Sequence, residues 1–152
     1  MSELTWACRP FAELSGAELY EALRLRCEVF VVEQRCLYLD VDGADPQALH
    51  LMAWQAGRLQ AYARLFAPGL KTADVCFGRV LTAPAARGTG LGHELVRRIL
   101  TECERHWPGQ SITIFAQSHL QRYYGAHGFV PVGAEFMEDD IPHQEMQRKA
   151  AP

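Results

Sequence analysis

The chain has 152 residues, of which 49% are hydrophobic and 22% charged, as is typical of a soluble globular protein, and we expect one domain over residues 1–152. Its formal net charge of −3 argues against a nucleic-acid partner, which usually requires a strongly basic face. No apolar run approaches the roughly 20 residues that span a bilayer, and residues 1–15 lack a signal-peptide pattern, so we expect a cytoplasmic protein with no membrane partner.

The start of the chain is predicted to form a strand and then an amphipathic helix. Residues 4–8 (LTWAC) suit a first strand. Ser15 and Glu18 have the spacing of a capping box, in which each side chain accepts a hydrogen bond from the other residue's backbone N–H. Apolar residues then recur at helical spacing, so we expect a helix that runs from this cap to about Glu33.

The middle of the chain is predicted to form an acidic loop and three strands. Residues 37–49 are rich in aspartate and contain the Gly and Pro residues of a loop. Apolar residues alternate in 50–55 and in 59–67, on either side of Ala56–Gly57, and this pattern predicts a β-hairpin. A further strand is expected over residues 73–83, where a proline ends it.

The second half of the chain is predicted to alternate helices and strands. The apolar stripe of residues 90–107 indicates an amphipathic helix, and residues 111–116 suit a strand. Ser118 and Gln121 resemble a second capping box, which would open a helix that closes at Gly128. Two late strands are expected near 129–135 and 142–149. The whole order predicts an α/β fold built on a mixed sheet.

The segment RGTGLG (residues 87–92) follows a predicted strand and opens a predicted helix. Backbone N–H groups and the positive end of a helix favour an anion there, phosphate above all, and glycine lets the backbone approach it closely. The dinucleotide-binding pattern fails because His93 occupies its last glycine position, and no Walker lysine follows. A purely structural turn, in which the glycines relieve strain, is the alternative.

Two separated motifs resemble the signatures of the GNAT superfamily of N-acyltransferases. One is the R-x-x-G-x-G pattern of residues 87–92, and the other is a tyrosine four residues before a Gly-Phe pair, within YYGAHGF (123–129). The segments RCEVFVVEQRCLYLDVDGAD, AQSHLQRYYGAHGF and EDDIPHQEM are similar to the ElaA family within that superfamily. The resemblance implies the GNAT fold: a mixed, mostly antiparallel central sheet flanked by helices, with a splayed pair of strands that binds acyl-CoA.

The resemblance also implies a reaction, the transfer of an acetyl group from acetyl-CoA to an amine, most simply the primary amine of a small molecule. The loop amides and Arg87 would neutralise the pyrophosphate of acetyl-CoA, and the strand before the loop would bind its pantetheine arm and polarise the thioester carbonyl. An ordinary buried strand is the alternative for that strand's side chains. The predicted cofactor-binding residues are Val80, Leu81, Thr82, Arg87, Gly88, Thr89, Gly90, Leu91, Gly92 and His93.

Tyr124 is the candidate general acid, because a phenol stays protonated at neutral pH and can donate its proton to the departing thiolate. Packing against the cofactor helix is its alternative role, and the neighbouring Tyr123 is expected in the core. The attacking amine must also lose a proton, and Glu33 is the catalytic candidate for this step. The acceptor is expected to contact three further residues, each also a possible base: His50, His119 and Glu138.

Two groups of acidic residues lie in predicted loops, at Asp40, Asp42 and Asp45 and at 138–140. If both faced the acceptor they would favour a cationic amine, whereas solvated loop charge is the alternative. No histidine or cysteine spacing predicts a metal site, and the five scattered cysteines contain no CxxC pair. Four of them lie in apolar segments that indicate buried thiols, whereas Cys36 follows a charged segment, so a reactive thiol is the alternative there.

Three functions fit these residues. They are a small-molecule N-acetyltransferase, a protein lysine or N-terminal acetyltransferase, and a non-catalytic regulatory module that binds acyl-CoA. The presence of Tyr124 favours an enzyme, because a protein that only binds acyl-CoA needs no acid beside the thiol. The fold also allows a homodimer.

Overall fold

The computed structural model describes residues 3–150. The strands of that range are β1 (Thr5–Pro10), β2 (Leu49–Gln55), β3 (Arg58–Phe66), β4 (Cys76–Thr82), β5 (Ile112–Gln117), β6 (Val130–Pro131), β7 (Phe136–Glu138) and β8 (Ile141–Arg148). Its α-helices are α1 (Gly16–Arg26), α2 (Leu91–His106) and α3 (Gln121–Gly125). No helix within this range is long and apolar enough to cross a bilayer.

The strands form two antiparallel sheets that meet at one point. The first has the order β1-β2-β3-β4, and the second has the order β5-β8-β6 with β7 also paired to β8. A parallel bridge joins Val75 to Ile112, where the Thr113 N–H donates to the Val75 carbonyl at 2.9 Å. Beyond this bridge β4 and β5 diverge, so the predicted mixed, mostly antiparallel sheet with a splayed strand pair is confirmed.

Helices cover both faces of the first sheet. Alternate residues of a strand point to opposite faces, so Leu51 packs in the same core cluster as Leu95 of α2, whereas Met52 packs with Leu25 of α1. The predicted apolar stripe of α2 is buried as expected. Each of these side chains contributes roughly 1.5–3 kcal/mol by leaving water, which is why the amphipathic pattern fixes the position of this helix.

The first helix changes its hydrogen bonding before it ends. Its predicted capping box is present, with the Glu18 N–H donating to Ser15 Oγ at 3.0 Å and the Ser15 N–H donating to Glu18 Oε1 at 2.8 Å. Residues Cys27–Glu33 continue α1 as a π-helix, in which the Gln34 N–H donates to the Val29 carbonyl. Such wide turns are frequent at functional sites.

The region after β5 differs from the prediction. A single 3₁₀ turn (Ser118–Leu120) precedes α3, and Ser118 makes no capping bond there, so the second capping box is wrong. The strand predicted near 129–135 is reduced to the two residues of β6, the one predicted near 142–149 is present as β8, and the late strands within the described range are three in number. The extra strand, β7, pairs with β8 across a turn in which Asp139 and Asp140 have φ of +50° and +60°.

The acidic loop is fastened to the rest of the molecule by buried ion pairs. Arg26, whose side chain is fully buried, donates to Asp40 Oδ2 at 3.0 Å and to Asp45 Oδ1 at 2.7 Å. Arg64 of β3 also donates to Asp45 Oδ1, at 3.0 Å, and forms a two-pronged pair with Asp42 at 2.8 and 2.6 Å.

Arg79 of β4 completes this group by donating to Asp40 Oδ1 at 2.9 Å and to Asp42 Oδ2 at 3.4 Å. Each of the three aspartates therefore has at least two arginine partners. The prediction of solvated loop charge is therefore wrong for these aspartates, because all three carboxylates are paired with arginines. We call the six residues the aspartate–arginine cluster: Arg26, Asp40, Asp42, Asp45, Arg64 and Arg79.

Breaking this cluster should destabilise the fold strongly. We expect Asp45→Asn to lower the free energy of unfolding by about 3–5 kcal/mol, because it removes one of the two carboxylate partners from each of two buried guanidinium groups, Arg26 and Arg64. The exposed Glu13→Gln is the control and should change it by less than about 0.5 kcal/mol. Urea unfolding followed by circular dichroism measures both, and a small effect of Asp45→Asn would show that the cluster relaxes around the loss.

The same cluster makes stability depend on pH. The hydrogen bonds from Arg64 hold the pKa of Asp42 far below its usual range. Burial alone would raise the pKa of Asp45, but the bonds from Arg26 and Arg64 outweigh it and lower that pKa too. A carboxyl whose pKa is lower in the folded state stabilises it above the unfolded value, about 3.9, and this contribution is lost as the pH falls.

Candidate active site

A cleft of about 700 Å³ opens where β4 and β5 diverge. Its walls come from these two strands, from the π-helical segment after α1, from α3 and from the β7–β8 hairpin. Eight of the residues predicted for cofactor, catalysis or acceptor line it together: Glu33, Val80, Leu81, Thr82, Arg87, His119, Tyr124 and Glu138.

A β-bulge in β4 shapes one wall of the cleft. Leu81 pairs with Tyr62 and Gly78 pairs with Arg64, so β4 contains one residue more than the facing stretch of β3. The bulge leaves Arg79 and Val80 outside the pairing, and Arg79 adopts a φ of +50°. Bulges bend a strand and free backbone groups from the ladder, as a strand that binds a ligand through its backbone requires.

The glycine loop leads directly into α2. Gly88 and Gly90 have φ of +79° and +83°, a conformation that residues with a side chain rarely adopt. Gly90 is the N-cap of α2, and it makes no side-chain capping bond to the free N–H groups of the first turn. The first N–H groups of a helix have no partner within it, so they remain available to an anion.

Arg87 stands beside this loop and is engaged by Glu33. Its Nη2 lies 2.7 Å from Glu33 Oε1, and both side chains are about two-fifths exposed, at 43% and 41%. The ion pair ties the π-helical segment to the loop that begins α2. Glu33, the predicted base, is therefore ion-paired with Arg87, the residue predicted to bind phosphate. The sequence does not reveal this pair, because the two residues lie far apart in the chain.

Tyr124 projects from α3 into the cleft wall. Its ring packs against Phe77, Phe129 and Tyr123 with centroid distances of 6.2, 6.0 and 4.9 Å. Burial raises the pKa of Tyr124 above its ordinary value near 10, so the phenol is protonated at neutral pH. Its hydroxyl has no hydrogen-bond partner among residues 3–150 and can donate to a group in the cleft.

Tyr123 is partly buried against the core, where it was predicted, and it also bridges two helices. Its hydroxyl donates to the carbonyl of Gly92 near the start of α2, and burial raises the pKa of Tyr123 to about 12. A Cβ added at Gly92 would lie 3.3 Å from this hydroxyl, so the glycine makes room for a tyrosine as well as for a ligand.

His93 turns towards α3 and does not line the cleft. Its Nδ1 lies 2.8 Å from Nε2 of His127, and its ring centroid lies 4.9 Å from that of Tyr123. The predicted role of His93 in cofactor binding is therefore limited to its backbone N–H, in the first turn of α2.

His50 is a core residue, and its predicted contact with the acceptor is wrong. Its side chain is 1% exposed, with Nδ1 at 2.7 Å from the Tyr62 hydroxyl and Nε2 at 2.9 Å from the Asp45 carbonyl oxygen. Burial lowers the pKa of His50 below its usual value. The residue helps to position the aspartate–arginine cluster.

The remaining acceptor candidates lie on the second sheet and the turn after β5. Glu138 belongs to β7, with Oε2 at 3.7 Å from His143 Nε2, and His119 lies in the 3₁₀ turn. Sequence reasoning missed Arg79 and Lys71, which also line the cleft. A positive φ at a non-glycine residue marks Arg79 in the structure, but no pattern in the sequence marks it.

Possible metal ligands lie away from the cleft. Within the described range, the one group with suitable spacing is Cys8, Glu102 and His106, whose ligand atoms lie within 4.8 Å of one another. None of the three lines the cleft.

Comparison with known proteins places this geometry in a family. A family model for an acetyltransferase (GNAT) domain matches residues 16–150. The ElaA protein of Escherichia coli K12 is 40% identical over 148 residues, which cover 96% of this chain and 97% of that protein.

Solved structures agree with that assignment. An acyl-CoA N-acyltransferase from Pseudomonas aeruginosa is 50% identical and has a TM-score of 0.93, over 96% of this chain and 99% of that one. Escherichia coli ElaA is 40% identical and has a TM-score of 0.91, over 97% of this chain and 100% of that one. The chain therefore belongs to the GNAT acyltransferases, which transfer acyl groups from coenzyme A, and within them to the ElaA family.

Proposed function

We propose that this protein transfers an acetyl group from acetyl-CoA to the primary amine of a small molecule. The observation that carries the proposal is Tyr124, which lines the same cleft as the β4 bulge and Arg87 and whose protonated hydroxyl has no hydrogen-bond partner among residues 3–150. A binding module has no use for such an acid. A catalyst that must expel a thiolate needs one.

The cofactor would lie across the mouth of the cleft. The N–H groups at Gly88–Gly92 and the Arg87 guanidinium would hold the pyrophosphate, since both supply hydrogen-bond donors and positive charge. The backbone of Val80–Thr82, on the open edge of β4, would bind the pantetheine arm. An N–H of this segment would also stabilise the oxyanion that forms at the thioester carbonyl.

The chemical step is then an aminolysis of the thioester. The amine nitrogen attacks the carbonyl carbon, and the C–S bond breaks as the tetrahedral intermediate collapses. Tyr124 donates its proton to the departing sulfur, while the ammonium formed at the acceptor nitrogen loses a proton to water or to His119. Because Glu33 is paired with Arg87, we assign it the role of positioning that arginine rather than that of the base.

A turnover screen tests the proposal. Acetyl-CoA and longer acyl-CoA thioesters are each offered with a panel of small amines and with lysine-containing peptides, and the release of free thiol is followed. We expect acetyl transfer to at least one small amine, with acetyl favoured over longer chains. Tight acyl-CoA binding without turnover of any acceptor would instead indicate a regulatory module, and turnover of peptides alone would indicate a protein acetyltransferase.

The ion pair between Glu33 and Arg87 gives a prediction that separates positioning from catalysis. We expect Arg87→Ala to raise the Kd for CoA by roughly 10–150-fold, the effect of losing a charged hydrogen bond of about 1.5–3 kcal/mol. Glu33→Gln should lower that Kd by about 2–5-fold, because it removes a competing negative charge at an exposed pair. Titration calorimetry measures both Kd values. A large fall in kcat for Glu33→Gln in turnover assays would show instead that Glu33 is the base.

A further inference from the structure

We infer that the amine accepted by this protein also carries a carboxylate, so that the acceptor is an amino acid rather than a polyamine. The inference rests on the acyl transfer proposed above and concerns the part of the cleft wall formed by Arg64, Lys71 and Arg79. It replaces the cationic acceptor that the acidic loop suggested.

This wall has more positive than negative charge. The aspartate–arginine cluster has three arginines and three aspartates, and Lys71 adds a fourth cation, with Nζ at 3.9 Å from Asp42 Oδ2. Asp40 and Asp45 are each 4% exposed and turn their charge inward, whereas the Lys71 and Arg79 side chains are 38% and 20% exposed. The net charge that the cleft presents here is therefore positive.

This wall also has more free hydrogen-bond donors than free acceptors. Asp42, the one aspartate of the cluster that lines the cleft, already accepts from Arg64, from the Ala44 N–H and from Arg79. Donors remain within residues 3–150, because Nη1 of Arg79 has no hydrogen-bond partner and Nζ of Lys71 donates no hydrogen bond, having only the 3.9 Å ion pair with Asp42 and a place 5.2 Å from the Phe66 ring centroid. A group that binds here must supply acceptor atoms, and a carboxylate supplies them with the complementary charge.

Arg79 is fixed in a position where it can bind a carboxylate next to the proposed thioester site. Its guanidinium lies 5.0 Å from the centroid of the Tyr38 ring and is fixed by Asp40. Its φ of +50° at the β4 bulge is a strained conformation, and strain of this kind is concentrated at functional sites. The next residue, Val80, begins the segment that would hold the thioester, so a carboxylate at Arg79 places the rest of a small acceptor near the acyl group.

The other sheet supplies the opposite charge. Glu138 and Asp139 of the β7–β8 hairpin line the cleft from the second sheet. An ammonium group is attracted to this hairpin, while a carboxylate is attracted to Arg79 and Lys71. A molecule that carries both charges satisfies both walls, whereas a polyamine places positive charge against the arginines.

The test compares acceptors that differ only at the carboxylate. Phenylalanine, phenylalaninamide and phenethylamine form one series, and lysine, lysinamide and cadaverine form another. We expect kcat/KM for the acid to exceed that for its amide by at least about tenfold, the effect of one charge-assisted contact. This preference should shrink as salt is added, because screening weakens the attraction.

Variants locate the effect on the protein. Lys71→Gln should reduce the acid-to-amide ratio by about threefold to tenfold. The control is Arg105→Gln, which removes a side chain that is 72% exposed on α2 and outside the cleft, and the ratio should then stay at the wild-type value. An unchanged ratio in Lys71→Gln would overturn the assignment of the carboxylate to this wall.

Failure of the inference and failure of the proposed function give different results. If amides or decarboxylated amines react as well as the acids in both series, the carboxylate is not recognised and the inference is overturned, while acyl transfer to amines stands. If no acceptor of any kind reacts although CoA binds normally in calorimetry, the proposed function is overturned, and the inference with it.

Discussion

Replacing Tyr124 by phenylalanine should lower kcat by about 10²–10⁴-fold, with little change in folding or in the affinity for acetyl-CoA. The ring contacts with Phe77 and Phe129 would be kept, and only the proton donor would be lost. The loss should shrink with a thioester whose thiol has a low pKa, because that thiolate departs without protonation. Steady-state kinetics on a verified acceptor measure the effect.

The neighbouring tyrosine offers the matched control. Tyr123→Phe also removes one hydroxyl from α3, but that hydroxyl bonds the Gly92 carbonyl. We expect this variant to lose about 1 kcal/mol of stability and to keep kcat within a fewfold of wild type. If both variants lost activity equally, or if Tyr124→Phe kept it, Tyr124 would have a packing role and water would protonate the thiolate.

Replacing Gly90 by valine should abolish measurable CoA binding. A β-branched residue is strained at a φ of +83°, and its side chain would stand where the pyrophosphate must approach the backbone at the start of α2. Calorimetric titration with CoA measures the loss. Gly57→Val is the control, since Gly57 has a comparable φ of +76° but lies in the β2–β3 turn and not at the start of a helix.

The control separates strain from ligand contact. Both variants should lose comparable stability in thermal unfolding, but only Gly90→Val should lose CoA. Unchanged CoA binding in Gly90→Val would show that residues 87–92 form a structural turn, the alternative that the sequence left open.

Features of the fold that depend on local patterns could be predicted from the sequence. The capping box of Ser15, the stripe of α2 and the β2–β3 hairpin each follow from spacing within one segment. The turn at Asp139–Asp140 was missed because both residues adopt positive φ without the Asn-Gly or Asp-Gly pair that usually signals such a turn. The spacing of Ser118 and Gln121 predicted a capping box, but residues Ser118–Leu120 form a 3₁₀ turn instead of the first turn of an α-helix.

Features of the site that depend on distant contacts could not be predicted in this way. The loop at 87–92 and Tyr124 belong to motifs that are visible in the sequence, and Arg87 of that loop and Tyr124 both line the cleft. The arginine partners of Asp42 and Asp45 lie at least 19 residues away in the chain. The sequence alone therefore gives no sign that these two carboxylates are paired. His50 was misassigned for the same reason, because its burial is decided by tertiary packing.

The divergence of β4 and β5 has a consequence for the behaviour of the protein in solution. Each strand lies at the end of its own sheet, so beyond the Val75–Ile112 bridge two rows of backbone amides face a gap instead of a neighbour. Unpaired rows of this kind invite strand exchange between molecules and self-association. A pantetheine arm, which has its own amide groups, would act as a substitute strand in this gap, so the cofactor would protect the protein from aggregation as well as supply its acyl group.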